Sequence, residues 1–309
     1  MKKFSLAVHG GAGPDSEHIK KNSEGYKNGI NDALDAGYAI LESGGSALDA
    51  VEAAVRSLED NPLFNAGRGC AINDAGEPQM CCSISDGKKL KMGAVAIVKN
   101  VKNPISLARA VMEKTPHIYL GSEGALAFAK ELKVPLEPDS YFITEHQFDA
   151  YLEKRESGKK KSADAAMPQV ERRMHGTVGA VALDAKGNLA AATSTGGTEF
   201  EKAGRIGDSS MAGVGSYADN RVCAASSTGD GESLIRHVTC FHVAALMEYK
   251  GLSLQEACDF LIDEKCKDEK GGMGIISVDP KGQVVFKFNS ERMHRGCRTS
   301  TGDHFVAIY

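Results

Sequence analysis

Hydrophobic and polar positions along this chain switch between a period near two and a period near 3.6, and the switches mark its elements. Phe4 to Val8 predicts a short buried strand, running into His9-Gly10-Gly11-Ala12-Gly13, whose glycines predict a tight, close-packed loop. Tyr26, Ile30, Leu34, Tyr38 and Leu41 then recur at helical spacing, and Gly44-Gly45 supply a stop. Ser46 with Asp49 three residues on predicts the cap of a second helix. Its buried stripe is Val51, Ala54, Val55 and Leu58, and Asn61-Pro62 ends it. Further on, Leu107, Val111 and Met112 predict a helical region over about 104–132, broken near Thr115-Pro116-His117 and covering a sheet.

From about Glu137 to Arg173 the chain turns charged and weakly periodic, which predicts a solvated, mobile linker over about 137–176. Strand signals follow: Thr177 to Leu183, a turn at Asp184 to Asn188, then Leu189 to Thr195, a predicted hairpin. The same pattern returns at Ile275 to Val278, Asp279 to Gln283 and Val284 to Phe288. Helices are expected between them, over His237 to Tyr249 and Leu254 to Glu264. Helices flanking two hairpin-rich blocks predict an α/β sandwich with substantial antiparallel sheet rather than a parallel βαβ repeat.

Composition narrows the function more than the fold. Among 309 residues, 37 basic and 41 acidic side chains with 42% hydrophobic residues describe an ordinary globular protein, not a disordered chain or a nucleic-acid binder. The basic run Lys159-Lys160-Lys161 reads as part of a solvated linker, given the net charge of -4. The first apolar run is too short for a signal peptide and no stretch is long enough to span a membrane, so a cytoplasmic protein is expected. The eight cysteines are then expected as reduced thiols, with Cys70, Cys81 and Cys82 in the core rather than on a metal.

Most local motifs point to structure. His9 to Gly13 lacks the full pattern of a phosphate-binding loop, and a structural turn is the simpler reading. His237 and His242 are badly spaced for shared zinc ligation, and no GxSxG elbow nominates a serine. Gly176-Thr177-Val178-Gly179-Ala180-Val181-Ala182-Leu183-Asp184 is more informative, because a threonine opens an apolar strand directly after the charged segment. Taken alone, that threonine is ordinarily just a strand former.

Several motifs, in order along nearly the whole chain, change this reading. They are His9 to Gly13, Asn61-Pro62-Leu63-Phe64-Asn65-Ala66-Gly67, Gly176 to Asp184, Ser194-Thr195-Gly196-Gly197, Gly204-Arg205-Ile206-Gly207-Asp208-Ser209 and Thr228-Gly229-Asp230-Gly231-Glu232. With these the sequence resembles the plant-type asparaginases and isoaspartyl peptidases, within the N-terminal nucleophile hydrolases. The resemblance implies a four-layer αββα sandwich with largely antiparallel sheets. It also implies one domain over 1–309, made as an inactive precursor that cuts itself between Gly176 and Thr177. Pieces 1–176 and 177–309 would stay associated, as a dimer of cleaved precursors.

The implied activity is release of ammonia from L-asparagine and cleavage of β-aspartyl dipeptides through an acyl-enzyme. Thr177 would be the nucleophile, its freed α-amine serving as base, since the ordinary pKa of such an amine is about 8. Glycine before it leaves the hydroxyl's approach open. By the same resemblance Thr195 would hold the Thr177 hydroxyl, Arg205 the substrate α-carboxylate and Asp208 the α-ammonium. Thr228 and Gly229 would form the oxyanion hole, and Asn65 a supporting polar contact. No catalytic cofactor is implied. A structural sodium ion would be wrapped by backbone carbonyls around Leu58, Glu59, Asn61, Phe64, Ala66 and Arg68.

Two departures stand out. Cys81-Cys82 replaces an acidic residue frequent before Asp86-Gly87, and Ser210 replaces a proline frequent after Gly-Asp-Ser. Two other readings remain open at this point: a glycosylasparaginase-like amidase, and an uncleaved protein that only binds amino acids through Arg205 and Asp208.

Overall fold

A computed structural model describes residues 3–161 and 176–309 of the chain. In chain order β1 (Ser5–Gly13) is followed by α1 (Glu17–Lys21), α2 (Ser23–Glu42) and α3 (Ala47–Asp60). Next come β2 (Met80–Asp86), β3 (Lys91–Val98), α4 (Pro104–Lys114), β4 (Tyr119–Gly121), α5 (Ser122–Glu131), α6 (Asp139–Phe142) and α7 (Glu145–Lys161). After residue 176 follow β5 (Val178–Leu183), β6 (Leu189–Thr195), a 3-10 turn at Asp208–Ser210, β7 (Ser216–Asp219) and β8 (Cys223–Gly229). The chain closes with α8 (Gly231–His237), α9 (Thr239–Lys250), α10 (Leu254–Asp259), β9 (Met273–Val278), β10 (Val284–Phe288), β11 (Arg292–Thr299) and β12 (His304–Ala307).

The strands form two sheets. The larger has the order β12-β11-β1-β5-β6-β2-β3-β4 and the smaller β10-β9-β8-β7. Every pairing is antiparallel except β3 with β4, as expected where hairpins make most connections. Alternate residues of the central strands enter different apolar clusters. On β1 and β5, Leu6, Val8, Val178, Ala180 and Ala182 pack with α2 and α3, while Ala7, Val181 and Leu183 face Ala224, Ile276 and Val278 of the smaller sheet. Cys223, Ala225, Met273 and Ile275 turn the other way, towards α9 and α10. The period-two alternation of nearly all-apolar strands therefore reports burial on both faces.

Local chemistry explains several boundaries. Ser46 accepts the Asp49 N–H at 3.1 Å and caps α3, as its spacing predicts, and Asn61 ends that helix. All eight cysteines are free and buried. Other expectations are corrected. His9 to Gly13 is no separate loop but the end of β1, with the register slipping between His9 and Ala12. The break in the 104–132 region holds the parallel strand β4. Helix 237–249 is split at Val238, whose φ of 47° is left-handed.

The expected linker is helical from Asp139 to Phe142 and again from Glu145 to Lys161, where contacts of Tyr151 with Phe200 and of His146 with His18 dock α7. Its remainder, 162–175, lies outside the described residues. Among the described residues no helix is long and apolar enough to cross a membrane.

Candidate active site

The site lies where the layer between the two sheets opens at the starts of β5 and β8 and the end of β6. Thr177 and Thr195 point into this layer because they share parity with Val181 and Ala191, which face the smaller sheet. The Thr177 hydroxyl donates to Thr195 Oγ1 at 3.2 Å, and the Thr195 hydroxyl donates to the Gly176 carbonyl at 3.1 Å. Asn65 Nδ2 reaches the same carbonyl at 2.8 Å, and its Oδ1 is fixed by the Ala71 N–H at 2.8 Å. The one peptide carbonyl that precedes Thr177 thus has two donors aimed at it. Gly11, with φ of 108°, backs this bond so closely that an added Cβ would sit 3.0 Å from Gly176 Cα.

Thr177, Thr195, Arg205, Asp208 and Gly229 share one polar cavity, closed by Gly176, Gly197, Thr198 and Gly231. Arg205 is held from two sides. Nε and Nη2 donate to both oxygens of Glu232 at 2.9 and 2.8 Å, and Nη1 donates to Glu201 at 2.9 Å. A side chain at Gly231 would meet Arg205 Nη2 at 2.6 Å and Asp208 at 3.1 Å, so glycine there keeps both charges open to a ligand. Burial pushes the Asp208 carboxyl up to about 7, against the pull of the Arg205 guanidinium, and raises Glu201 as well. A guanidinium beside a buried carboxyl suits a zwitterion bearing both a carboxylate and an ammonium.

A family model described as asparaginase matches residues 2–308. The chain belongs to the asparaginase family. Among its relatives, the probable isoaspartyl peptidase/L-asparaginase 2 of Arabidopsis thaliana is 42% identical, with 100% of both chains covered. The isoaspartyl peptidase of Salmonella typhimurium is 42% identical over 96% of this chain and 95% of its own. The isoaspartyl peptidase/L-asparaginase of Homo sapiens is 44% identical over 93% of this chain and 91% of its own.

In this member of the asparaginase family, Thr228 and Asn65 lie behind the cavity wall rather than on it. The Thr228 hydroxyl oxygen accepts the Ala12 N–H at 3.2 Å, tying β8 to β1. Gly229 is on the wall with φ of 126°, where a side chain would strike the Gly272 carbonyl.

His9, read from sequence as part of a turn, touches the backbone of Thr177. Its Nδ1–H donates to the Thr177 carbonyl at 3.0 Å, which leaves Nε2 to accept from the Ser226 hydroxyl at 2.9 Å. Burial lowers its pKa to about 3, so it is a neutral strut and not a base. Sequence reasoning also missed Glu201 and Glu232, because isolated acidic residues carry no signal of which arginine they will meet.

The loop after α3 fits the cation that the resemblance implies. Hard oxygen donors suit sodium, and Gly69 leaves a cradle: a Cβ there would lie 2.6 Å from both the Phe64 and Pro62 carbonyls. Within the loop Glu59 O already accepts the Arg68 N–H at 2.7 Å and Phe64 O the Ala66 N–H at 2.9 Å.

Proposed function

We propose that this chain is a threonine hydrolase that cuts itself at Gly176-Thr177 and then hydrolyses L-asparagine and β-aspartyl dipeptides. The observation that carries this reading is the Thr177-Thr195-Gly176 hydrogen-bond chain, with Asn65 as second donor to the Gly176 carbonyl. In the first step Thr177 Oγ attacks the Gly176 carbonyl carbon as its proton passes to Thr195 Oγ1 and the Thr195 hydroxyl proton passes on to the Gly176 carbonyl oxygen, where Asn65 stabilises the developing charge. The C–N bond then breaks as the proton on the tetrahedral oxygen passes to the nitrogen, and water hydrolyses the resulting ester to leave a free Thr177 amine.

In turnover that amine takes the Thr177 hydroxyl proton while Oγ attacks the substrate's side-chain carbonyl. Arg205 and Asp208 hold the α-carboxylate and α-ammonium, and Gly229 on the cavity wall, backed by Thr228, faces the developing oxyanion. The protonated amine returns its proton to the leaving ammonia or amino acid. Water enters, and the acyl-enzyme releases aspartate.

The fold proposed with this activity is the four-layer αββα sandwich, supported by three stacked apolar clusters. Eight free, buried thiols support a reducing, cytoplasmic setting. A dimer of cleaved precursors is proposed from the family resemblance. Carbonyls of Leu58, Glu59, Asn61, Phe64, Ala66 and Arg68 would hold a sodium ion, which would stiffen the loop bearing Asn65.

Denaturing intact-mass spectrometry of the wild type and Thr177→Ala tests the proposal. Pieces 1–176 and 177–309 are expected from the wild type alone, with asparagine and β-aspartyl dipeptide hydrolysis lost in the variant. An active Thr177→Ala protein would sink the mechanism.

A further inference from the structure

The two departures from the motifs of relatives, Cys81 and Ser210, meet in space. Ser210 is fully buried, and its hydroxyl oxygen accepts from Tyr119 Oη at 2.5 Å. The same hydroxyl lies beside the Cys81 thiol, which accepts the Ile97 N–H at 3.5 Å. Cys81 is the cross-strand partner of Thr195, so this chain of contacts runs from the edge strand β4 to the wall of the active site.

Ser210 closes the 3-10 turn that begins at Asp208. The Asp208 side chain has a weak internal tether, the Ser209 hydroxyl at 3.4 Å, so its position depends on the turn's backbone. Ser83 holds that backbone from beneath, donating to the Ser209 carbonyl at 2.6 Å. A proline at 210 would fix φ through its ring, and serine does not.

We propose that Tyr119 and Ser210 are positioning residues whose hydrogen bond fixes the Asp208 turn and thereby the recognition of the substrate α-ammonium. This rests on the reading of Asp208 as the ammonium site. It gives the outer strand β4, remote from the nucleophile, a specific part in substrate selection. The contact is a compensating pair: the tyrosine hydroxyl and the serine are useful only together.

The test is a double-mutant cycle on the matured enzyme with Tyr119→Phe, Ser210→Ala and both, beside Asp208→Asn. Each single change should raise KM for L-asparagine about fivefold with kcat within about twofold, and the double variant should be no worse than either. Inhibition by L-aspartate should weaken in parallel, while inhibition by succinate, which lacks the ammonium, should not. Unchanged KM in Tyr119→Phe, multiplicative effects in the double variant, or equal weakening of both inhibitors would each overturn the proposal. If Ser210→Ala fails to fold, Tyr119→Phe with the inhibitor pair decides alone, since that side chain is part-exposed. An unchanged KM in Asp208→Asn would instead refute the site reading itself.

Discussion

Thr177, the proposed nucleophile, is held by neighbours far away in sequence. Thr177 and Thr195 were legible as residues, because each opens or closes a strand in a recognisable motif. Their partners were less so. His9 supports the Thr177 carbonyl only because β1 pairs with β5, and Glu201 and Glu232 hold Arg205 only because the segment after β6 meets the first turn of α8.

Asp208 leads to a prediction at this scale. Its carboxyl, pushed up to about 7 by burial, is neutral below that pH and then attracts no ammonium. The Thr177 amine, protonated below its ordinary value of about 8, should already depress activity on the acid side. In a pH profile of kcat/KM, the wild type should therefore steepen below about pH 7, towards a slope of two. Asp208→Asn should be weaker throughout and keep the shallower slope. The same steep limb in both proteins would count against this role.

At the scale of elements, Glu59 joins three of them. It lies on α3, accepts the Ser194 hydroxyl of β6 at 2.7 Å and caps the start of α4 through the Ile105 N–H at 3.1 Å. Burial pushes its carboxyl up to about 8 from an ordinary 4.5. A carboxyl whose folded pKa is raised stabilises the fold fully below its unfolded value and loses that contribution as pH rises through the folded one. Melting temperature should thus fall between about pH 4.5 and 8. Glu59→Gln should flatten this fall by at least about 3 °C, read by calorimetry across the range.

The same scale shows where sequence reading stops. Helix α3 carried both a stripe and a cap, and β5 with β6 had an unmistakable turn, so both were legible. Strand β2 holds Cys82, Ser83 and Ser85 on buried faces, which blurs any apolar alternation. Val238 interrupts an apolar helical pattern through backbone conformation alone. The charged surface of α7 masks a helix docked by a few aromatic contacts.

Across the whole molecule, the larger sheet interleaves the two halves. Strands β12, β11, β5 and β6 come from 177–309, while β1, β2, β3 and β4 come from the part before residue 176, and β1 sits between β11 and β5. Cleavage at Gly176 would leave this hydrogen-bonded ladder whole. The two pieces should co-elute in native gel filtration and part only in denaturant, and their separation without unfolding would contradict the topology.

That placement of β1 also sets a clock during synthesis. Ser5 pairs with Leu183 on one side and Thr299 on the other, so the strand made first waits for partners made midway and last. Until residues beyond 299 leave the ribosome, one edge of the central strand stays open, a state prone to aggregation and slow to resolve. The nascent chain must therefore be sheltered until its final strands emerge.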